Sequence, residues 1–288
     1  MPNLMAKHRS RIARFGALPA LLITAAFLPA LAQQAGTPNF AQTTSVGWVG
    51  TSDTLLPPAL GPGPVLADPA HPRISNAVAA ETGKQPTFHF GDARSPILQP
   101  WAQEALRKRD DEILGGKPGY TRAVSCWPLG VPAFLLGPVQ PYFFVQTPKE
   151  VLIIWQEDHQ VRHVYMNVPH SARVTPSWYG ESIGHYEGDT LVVDTIGLSE
   201  KTYVDHFRTP HTDKLHVVER FRMIDGGKML EVNIHVDDPG TFTSSWNAVQ
   251  RLRHVEDGPM LEGRCGENNR NYFNQQVEPM AVAEKPDF

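Results

Sequence analysis

The chain has 288 residues, of which 41% are hydrophobic and 19% are charged, and it contains 26 prolines. The hydrophobic fraction is sufficient for a packed core, whereas this proline content excludes a helical bundle, a coiled coil and a long helical solenoid, because proline interrupts helix interiors. A formal net charge of −4 argues against nucleic-acid binding, which basic surfaces favour.

Residues 1–32 have the pattern of a secretory signal peptide, with a basic start, an apolar stretch and a small-x-small cleavage site at Ala30-Leu31-Ala32. A membrane anchor is the alternative, but Pro19 and Pro29 interrupt a run shorter than the roughly 20 apolar residues of a spanning helix. Cleavage leaves 256 residues with 22 basic and 30 acidic side chains, a net charge of −8. We therefore predict a periplasmic or secreted protein with no membrane span after signal removal and no nucleic-acid partner.

The chain after the signal divides into two parts by composition. Residues 33–85 are rich in Ala, Pro, Gly, Ser and Thr and show neither a helical nor a strand period, so we predict an extended arm there. Residues 86–288 are predicted to form a single β-rich domain that begins with one helix. The helical pattern covers residues 97–114, Pro100 suits a first turn, and Gly115-Gly116 ends the pattern.

From about residue 142 the sequence consists of apolar runs separated by short turn motifs, which indicates β-strands. Predicted strand pairs occupy residues 151–156 and 160–166, 182–186 and 189–196, 215–224 and 229–236, and 248–255 and 260–264. Successive tight turns predict an antiparallel meander, which at this length closes into a barrel or folds into a sandwich, since open edges invite aggregation. The predicted fold class is therefore mainly β, with one N-terminal helix.

The clearest hairpin turns at Asp225-Gly226-Gly227-Lys228. A turn centred on the two glycines places Val217 opposite Val236 and Arg222 opposite Glu231. The second pair predicts a cross-strand charge interaction worth about a few tenths of a kcal/mol.

The two cysteines, Cys126 and Cys265, are far apart in the sequence. In an oxidising compartment a lone pair of cysteines is most simply a disulfide, which we predict here. A catalytic thiol is the alternative, but neither Ser125-Cys126-Trp127-Pro128 nor Gly263-Arg264-Cys265-Gly266 resembles a nucleophile setting.

Eight of the twelve histidines lie between residues 159 and 235. Such a cluster is compatible with a metal site because imidazole is a common ligand. The sequence lacks His-Glu-x-x-His, however, and its cysteines are too few for a structural zinc site. We therefore predict no metal and no other cofactor.

The strongest catalytic candidates lie between residues 210 and 220. His211 precedes a strand on a loop, and Glu219 alternates with Val217 and Phe221, which places it on the apolar face of its strand. A buried carboxylate needs either a cationic partner or a raised pKa. A carboxyl with a raised pKa, with His211 and His216 nearby, suits general acid–base catalysis. A structural ion pair between Glu219 and an arginine is the alternative.

Residues 180–184, Gly-Glu-Ser-Ile-Gly, fit the Gly-x-Ser-x-Gly nucleophile elbow. That motif requires a following helix, whereas a predicted hairpin follows here, so Ser182 is not predicted to be a nucleophile.

The longer run over residues 180–195, of the form G-x-S-x-G-x-x-E-G-D-T-L-V-V-D-T, resembles the hallmark of a large group of uncharacterised exported bacterial proteins. Pro210-His211-Thr212, Glu219-Arg220-Phe221, Asp238-Pro239 and residues 262–269 extend the resemblance, which covers about residues 86–270. No established reaction comes with this group. The resemblance gives greater weight to His211, His216 and Glu219.

The chain departs from the pattern of that group at several positions. His185 stands where the group has arginine, and Tyr186 where it has tryptophan. Asn167-Val168-Pro169 replaces Asp-Gly-Arg, and Ala133 replaces the arginine of Gly-x-Pro-Arg. If those arginines line a pocket in relatives, this protein handles a different ligand. His185 is accordingly kept as a fourth catalytic candidate.

Two functional hypotheses follow. The first is an exported, cofactor-independent lyase, decarboxylase, isomerase or hydrolase that uses His and Glu in a barrel pocket. Trp178, Tyr203 and Trp246 would bind its small-molecule substrate, since such pockets are mostly apolar. The second is a noncatalytic periplasmic barrel that binds a ligand or has a structural role.

Overall fold

The computed structural model describes residues 36–41, 47–84, 88–116, 126–137, 139–256 and 259–263, which belong to one compact unit. Nine strands form a closed barrel. They are β1 (Gly47–Gly50), β2 (Tyr142–Gln146), β3 (Glu150–Trp155), β4 (Gln160–Met166), β5 (Glu181–Glu187), β6 (Thr190–Ile196), β7 (His216–Ile224), β8 (Met229–Asp237) and β9 (Trp246–Val255). The helices are α1 (Asn76–Thr82) and α2 (Pro100–Leu114), with 3-10 turns at Ala133–Leu136, Glu157–His159 and Asp225–Gly227. The prediction of a mainly β fold closed into a barrel is confirmed.

The strands follow one another around the barrel in chain order, but one neighbouring pair is parallel. Eight pairings are antiparallel, and β4–β5 is parallel with Val164 opposite Ser182. In a ring of antiparallel neighbours each strand runs opposite to the one before it, so the directions can alternate all the way round only if the number of strands is even. A closed ring of nine strands must therefore contain a parallel pair. The chain must therefore return along the barrel between β4 and β5. We call this returning segment, residues 167–180, the crossover.

The segment predicted to be an arm contributes β1, which closes the barrel by pairing with β9 and β2. Trp48 of β1 is fully buried, and its Nε1 donates a 2.8 Å hydrogen bond to the carbonyl oxygen of Phe40. The predicted strand at residues 260–264 is wrong, because residues 260–263 form no strand and β9 pairs with β1 instead. A four-residue strand of sequence Gly-Trp-Val-Gly is too short to show a period.

The predicted helix is confirmed as α2, which begins three residues later than expected, with Pro100 at its first position, and ends before Gly115. Leu98, at the start of the predicted range, instead forms an isolated bridge with Phe242. α2 buries Ala102 and Leu106 against the rest of the protein. No helix within the described ranges is long and apolar enough to cross a membrane.

The predicted register of the β7–β8 hairpin is confirmed, with Val217 opposite Val236 and Arg222 opposite Glu231. The expected ion pair is wrong, however, because Glu231 binds Arg251 of β9 at 2.9 Å. A residue of a central strand has a neighbour on each side, and local hairpin geometry predicts only one of them.

Two predictions fall on residues that the structure does not describe. The signal peptide at residues 1–32 lies outside the described residues. Cys126 is described, but its predicted disulfide partner, Cys265, is not, so the disulfide stays a prediction.

Candidate functional site

Glu219 lies inside the barrel and is fully buried. Its Oε2 accepts a 2.5 Å hydrogen bond from Nη2 of Arg162, which is also fully buried. Glu219 faces inward because it alternates with two inward-facing apolar residues, and Arg162 faces inward from β4 by the same alternation. The structure therefore shows the arginine ion pair that is the alternative to a catalytic glutamate.

Two hydroxyl groups complete an interior polar cluster of Arg162, Ser182, Thr195 and Glu219. Arg162 Nε donates to Ser182 Oγ at 3.2 Å, and its Nη2 donates to Thr195 Oγ1 at 2.8 Å. Ser182 lies on β5, where its hydroxyl accepts from the buried guanidinium of Arg162. This is not the setting of a nucleophile elbow. Within the described residues, Arg162 Nη1 and Glu219 Oε1 have no hydrogen-bond partner.

His211 is buried in the connection between β6 and β7. Its Nδ1 lies 2.9 Å from the carbonyl oxygen of Thr212, and its Nε2 lies 2.7 Å from Oγ1 of Thr202. A carbonyl oxygen only accepts, so Nδ1 carries the hydrogen that Thr212 accepts. In the neutral ring, Nε2 and the carbonyl oxygen of Ser199, 3.0 Å from Thr202 Oγ1, compete for the single hydrogen of the Thr202 hydroxyl. His211 therefore uses both ring nitrogens within this connection.

His216 lies on the outer face of β7, opposite to Glu219. The two residues are three apart, and an odd separation along a strand places side chains on opposite faces. On that outer face, His216 Nε2 lies 2.9 Å from Oδ1 of Asp194 on β6. His211, His216 and Glu219 therefore do not share one site.

The crossover brings a second histidine to Asp194. His170 Nε2 lies 2.9 Å from the same Asp194 Oδ1, and His170 Nδ1 lies 3.0 Å from Oε1 of Glu181 on β5. We call His170, Glu181, Asp194 and His216 the Asp194 cluster. Their side chains are 20%, 21%, 36% and 38% exposed in that order, so the cluster is open to solvent.

The shifts of the pKa values in the Asp194 cluster favour the charged forms of Asp194, Glu181 and His216. Burial by itself raises the pKa of Asp194, but the hydrogen bonds with His216 and His170 outweigh burial and hold it below its ordinary 3.8. The hydrogen bond with Asp194 raises the pKa of His216 above 6.5, with a smaller contribution from the charge of Asp237. The pKa of Glu181 is lowered, chiefly by the hydrogen bond from the Ser171 hydroxyl.

The stability of the protein is expected to depend on pH through the His216–Asp194 pair. Because the pKa of His216 is raised and that of Asp194 is lowered in the folded state, the stabilisation is lost as the pH rises through the folded pKa of His216 and as it falls through the folded pKa of Asp194. His216→Gln is therefore expected to cost up to about 1 kcal/mol of unfolding free energy near pH 6 and less near pH 9. Urea unfolding of both proteins measures this cost, and an equal cost at the two pH values would contradict the prediction.

His185, the fourth catalytic candidate, belongs to a separate group on the outer surface. It is 53% exposed, and its Nε2 lies 3.0 Å from Oε1 of Glu187. Glu187 also accepts a hydrogen bond from Arg220. These hydrogen bonds lower the pKa of Glu187, and the hydrogen bond with His185 contributes most.

The three predicted substrate-binding aromatic residues lie in different surroundings. The Trp178 ring contacts that of Trp127, with centroids 5.4 Å apart. Arg109 lies over the Tyr203 ring, 4.8 Å from its centroid. Trp246 is buried in the core, where its ring contacts that of Phe242. The three aromatic residues therefore have different immediate neighbours.

A further group of perturbed side chains was not anticipated from the sequence. The imidazoles of His89 and His206 are 5.6 Å apart, and burial lowers the pKa of His89 to about 4 and that of His206 to about 3. Burial also raises the pKa of the adjacent Asp205 to about 6. His89 additionally lies 3.5 Å from Asp53 in the predicted arm, so this group joins the arm to the β6–β7 connection.

Sequence reasoning also missed Arg162, His170 and Asp194 as site residues. Arg162 alternates with Val164 and Met166, so its position on an inward face was visible in the sequence. His170 lies in the crossover, where no period indicates its position. In the part of the chain that the structure describes, no group of three or more His, Cys, Asp or Glu side chains is arranged to hold a metal ion.

Comparison with known proteins gives no match: no family model, no curated protein and no solved structure is significantly similar to this chain. The function must therefore be inferred from the geometry of the protein itself.

Proposed function

We propose that the protein is exported to the periplasm or secreted, belongs to the exported group that it resembles, and performs cofactor-independent acid–base chemistry on a small molecule. In this proposal His216 transfers the proton, and Asp194 orients the imidazole of His216. One observation carries the proposal: Asp194 Oδ1 binds Nε2 of both His216 and His170, on a surface open to solvent. The sequence pattern of residues 1–32 supports export.

The arrangement of the Asp194 cluster suits a general base with an orienting carboxylate. A carboxylate bound to one imidazole nitrogen fixes the ring and stabilises its protonated form, which leaves the other nitrogen for proton transfer. In His216 that other nitrogen is Nδ1, which has no hydrogen-bond partner among the residues described. His170 contacts a carboxylate through each nitrogen and therefore serves to position Asp194. Eliminations, isomerisations and hydrolyses all need such a group.

Glu219 and His211 have no part in this proposed chemistry. Glu219 is held by a buried arginine inside the barrel, and His211 is occupied at both nitrogens. The acid–base assignment therefore passes from Glu219 to His216, the one member of the predicted trio that solvent reaches.

Hydrolysis of 4-nitrophenyl acetate is a direct probe of a reactive imidazole. The free nitrogen attacks the ester carbonyl carbon, 4-nitrophenolate leaves with the electron pair of the broken C–O bond, and water then converts the acetylated imidazole to acetate. His216→Gln is expected to lower the protein-dependent rate about tenfold or more, since the glutamine amide supplies no nucleophilic nitrogen for this step. Asp194→Asn is expected to move the midpoint of the pH–rate profile to lower pH, because it removes the group that raises the pKa of His216.

A matched control is available on the same barrel surface. His163 lies 2.6 Å from Glu150 and is 52% exposed, so it is also an exposed histidine–carboxylate pair, but with a single imidazole. His163→Gln is expected to leave the rate unchanged. A rate that falls equally in H163Q and H216Q, or in neither, would show that His216 is not a specific acid–base group. Export is tested separately, by the N-terminal sequence of the protein recovered from a periplasmic fraction.

A noncatalytic barrel is the second candidate function, and one observation favours it. The most deeply buried of the predicted catalytic residues, Glu219, forms an ion pair that ties β4 to β7 inside the barrel. This role is structural and needs no substrate. Wild-type protein without esterase activity above that of H216Q would favour this candidate.

A further inference from the structure

Residues 65–73 and 88–92 lie outside the barrel strands and bind each other. Ala67 and Gly91 form an antiparallel bridge between them, and backbone hydrogen bonds of 2.9 Å and 2.8 Å flank this bridge. We call these two stretches the paired segment. Among the residues that the structure describes, none of its backbone hydrogen bonds reaches a barrel strand or the β6–β7 connection. The paired segment is therefore attached to that connection through side chains.

His89 and Gly91 attach the paired segment to the β6–β7 connection. The centroid of the His89 imidazole lies 5.6 Å from that of His206 and 6.0 Å from that of Phe207. A Cβ atom placed at Gly91 would lie 2.9 Å from the Cβ atom of Phe207, so the two parts are in close contact. The side chain of His89 is only 14% exposed. A charge on its imidazole would therefore be gained inside a packed interface, where it is costly.

The two imidazoles lie beside side chains that are already cationic. Asp53 Oδ2 lies 3.5 Å from Nε2 of His89, but the same oxygen accepts a hydrogen bond from Arg73. That carboxylate therefore already has a cationic partner. No described residue forms a hydrogen bond with the imidazole of His206, and the charges of Arg73 and of His89 oppose a second charge there. A proton on either ring would add to the positive charge of this interface.

The charged groups of the connection offer little compensation. Asp205 accepts hydrogen bonds from the backbone N–H and the hydroxyl group of Thr209, at 3.1 Å and 2.8 Å. Arg208 donates to Asp110 on α2 at 2.9 Å, so that pair is already formed. With both imidazoles protonated, the two histidines and two arginines of this interface would face only the carboxylates of Asp53, Asp205 and Asp110. Repulsion among the cations would then separate the paired segment from the connection.

The pKa shifts of these groups have the sign that such a separation requires. Burial lowers the pKa of His89 to about 4 and that of His206 to about 3, so the stabilisation by neutral imidazoles is present above pH 6.5 and is lost as the pH falls. Asp205 acts in the opposite direction, because burial raises its pKa to about 6. Separation takes up a proton on each histidine and releases one from Asp205. About one net proton therefore favours separation between pH 6 and 4, which is about tenfold per pH unit.

We propose that His89 and His206 form an acid-sensitive latch, which holds the paired segment on the β6–β7 connection at neutral pH and releases it when both imidazoles are protonated. The barrel stays closed, because β1 pairs with β9 through residues outside the paired segment. Release exposes Phe207, which is buried in the latched state. None of these groups belongs to the Asp194 cluster, so the inference goes beyond the proposed acid–base function and does not depend on it.

Hydrogen exchange of the full chain at pH 7 and pH 5, measured by mass spectrometry of peptides and corrected for the intrinsic pH dependence of exchange, tests the latch. The protection of amides in the paired segment is expected to fall about tenfold or more between pH 7 and pH 5. The amides of β7 and β8 are expected to keep their protection. Unchanged protection of the paired segment, or an equal loss of protection in β7 and β8, overturns the inference.

The double variant H89F/H206F removes both titratable groups and keeps an aromatic ring at each position. Its paired segment is expected to stay protected at pH 5. His71→Phe is the matched control, because the contacts of His71 with Asp68 and Phe90 lie within the paired segment, and it is expected to behave like the wild type. A double variant that loses protection at pH 5 as the wild type does overturns the proposal.

A second measurement decides the case in which the double variant is already unprotected at pH 7. Nuclear magnetic resonance then follows the histidine Cε1–H signals of the wild type as the pH is lowered. Two histidines that stay neutral until the paired segment loses protection support the latch. If all the histidines titrate near the ordinary value of about 6.5 while the paired segment stays protected, the inference is overturned.

Discussion

Replacing Glu219 with leucine is expected to lower the free energy of unfolding by about 3 to 5 kcal/mol, because it leaves the guanidinium of Arg162 buried without a counter-charge. Both side chains are fully buried and are joined by a 2.5 Å hydrogen bond. The hydroxyl groups of Ser182 and Thr195 can still accept from Arg162, but they carry no charge to balance it. Urea unfolding of E219L and the wild type, followed by circular dichroism, gives the difference.

Two controls separate the loss of a charge from the loss of an ion pair. R162M/E219L removes both charges and is expected to regain most of the lost stability. Glu187→Leu removes an exposed carboxylate that also binds an arginine, Arg220, and is expected to cost less than about 1 kcal/mol. If E219L costs no more than E187L, the buried pair is not a major determinant of stability.

Replacing Trp48 with alanine is expected to cost about 3 to 5 kcal/mol, the range for removing a fully buried large aromatic side chain. Trp48 is 0% exposed, it donates a hydrogen bond to Phe40, and its ring contacts that of His254 on β9. The variant therefore tests whether the segment with the composition of an arm acts as a strand of the barrel. Thermal or urea unfolding measures the loss.

Trp101→Ala is the comparison for W48A. Trp101 lies on α2, is 44% exposed and donates through Nε1 to the carbonyl oxygen of Gly240. It thus has a hydrogen bond of similar type but little burial, and its replacement is expected to cost about 1 kcal/mol. Similar losses in W48A and W101A would mean that β1 contributes little to the closure of the barrel.

The parts of the fold that the sequence predicted are those that local chemistry determines. The β7–β8 hairpin was predicted in register because its turn and its alternation agree over a few residues. β1 was not predicted, since a four-residue strand shows no period and its partner β9 is almost the whole length of the domain away. The partner of Glu231 was predicted wrongly for a related reason, because Arg251 lies on a strand outside the hairpin.

Of the Asp194 cluster, only His216 was predicted as a site residue from the sequence. Alternation places Asp194 between the inward-facing Val193 and Thr195, and His216 next to the inward-facing Val217. The structure thus places both side chains outward, but the sequence leaves the face of Asp194 open, because Val192 and Ile196, which share its face, are also apolar. Their contact could not be predicted, because a long connection joins β6 to β7 and leaves the register open.

The order of the strands has a consequence for how the chain could be rewired. Gly47 at the start of β1 is the direct partner of Val255 at the end of β9, so the chain enters and leaves the barrel side by side on one rim. A short linker could join these two positions into a continuous circle. Opening that circle within residues 167–180 would give a circular permutant in which every remaining connection between consecutive strands joins antiparallel neighbours. The crossover would then be cut, and its two halves would form the free ends of the permutant. β5 would be the first strand of the new chain and β4 the last, and the two would still pair.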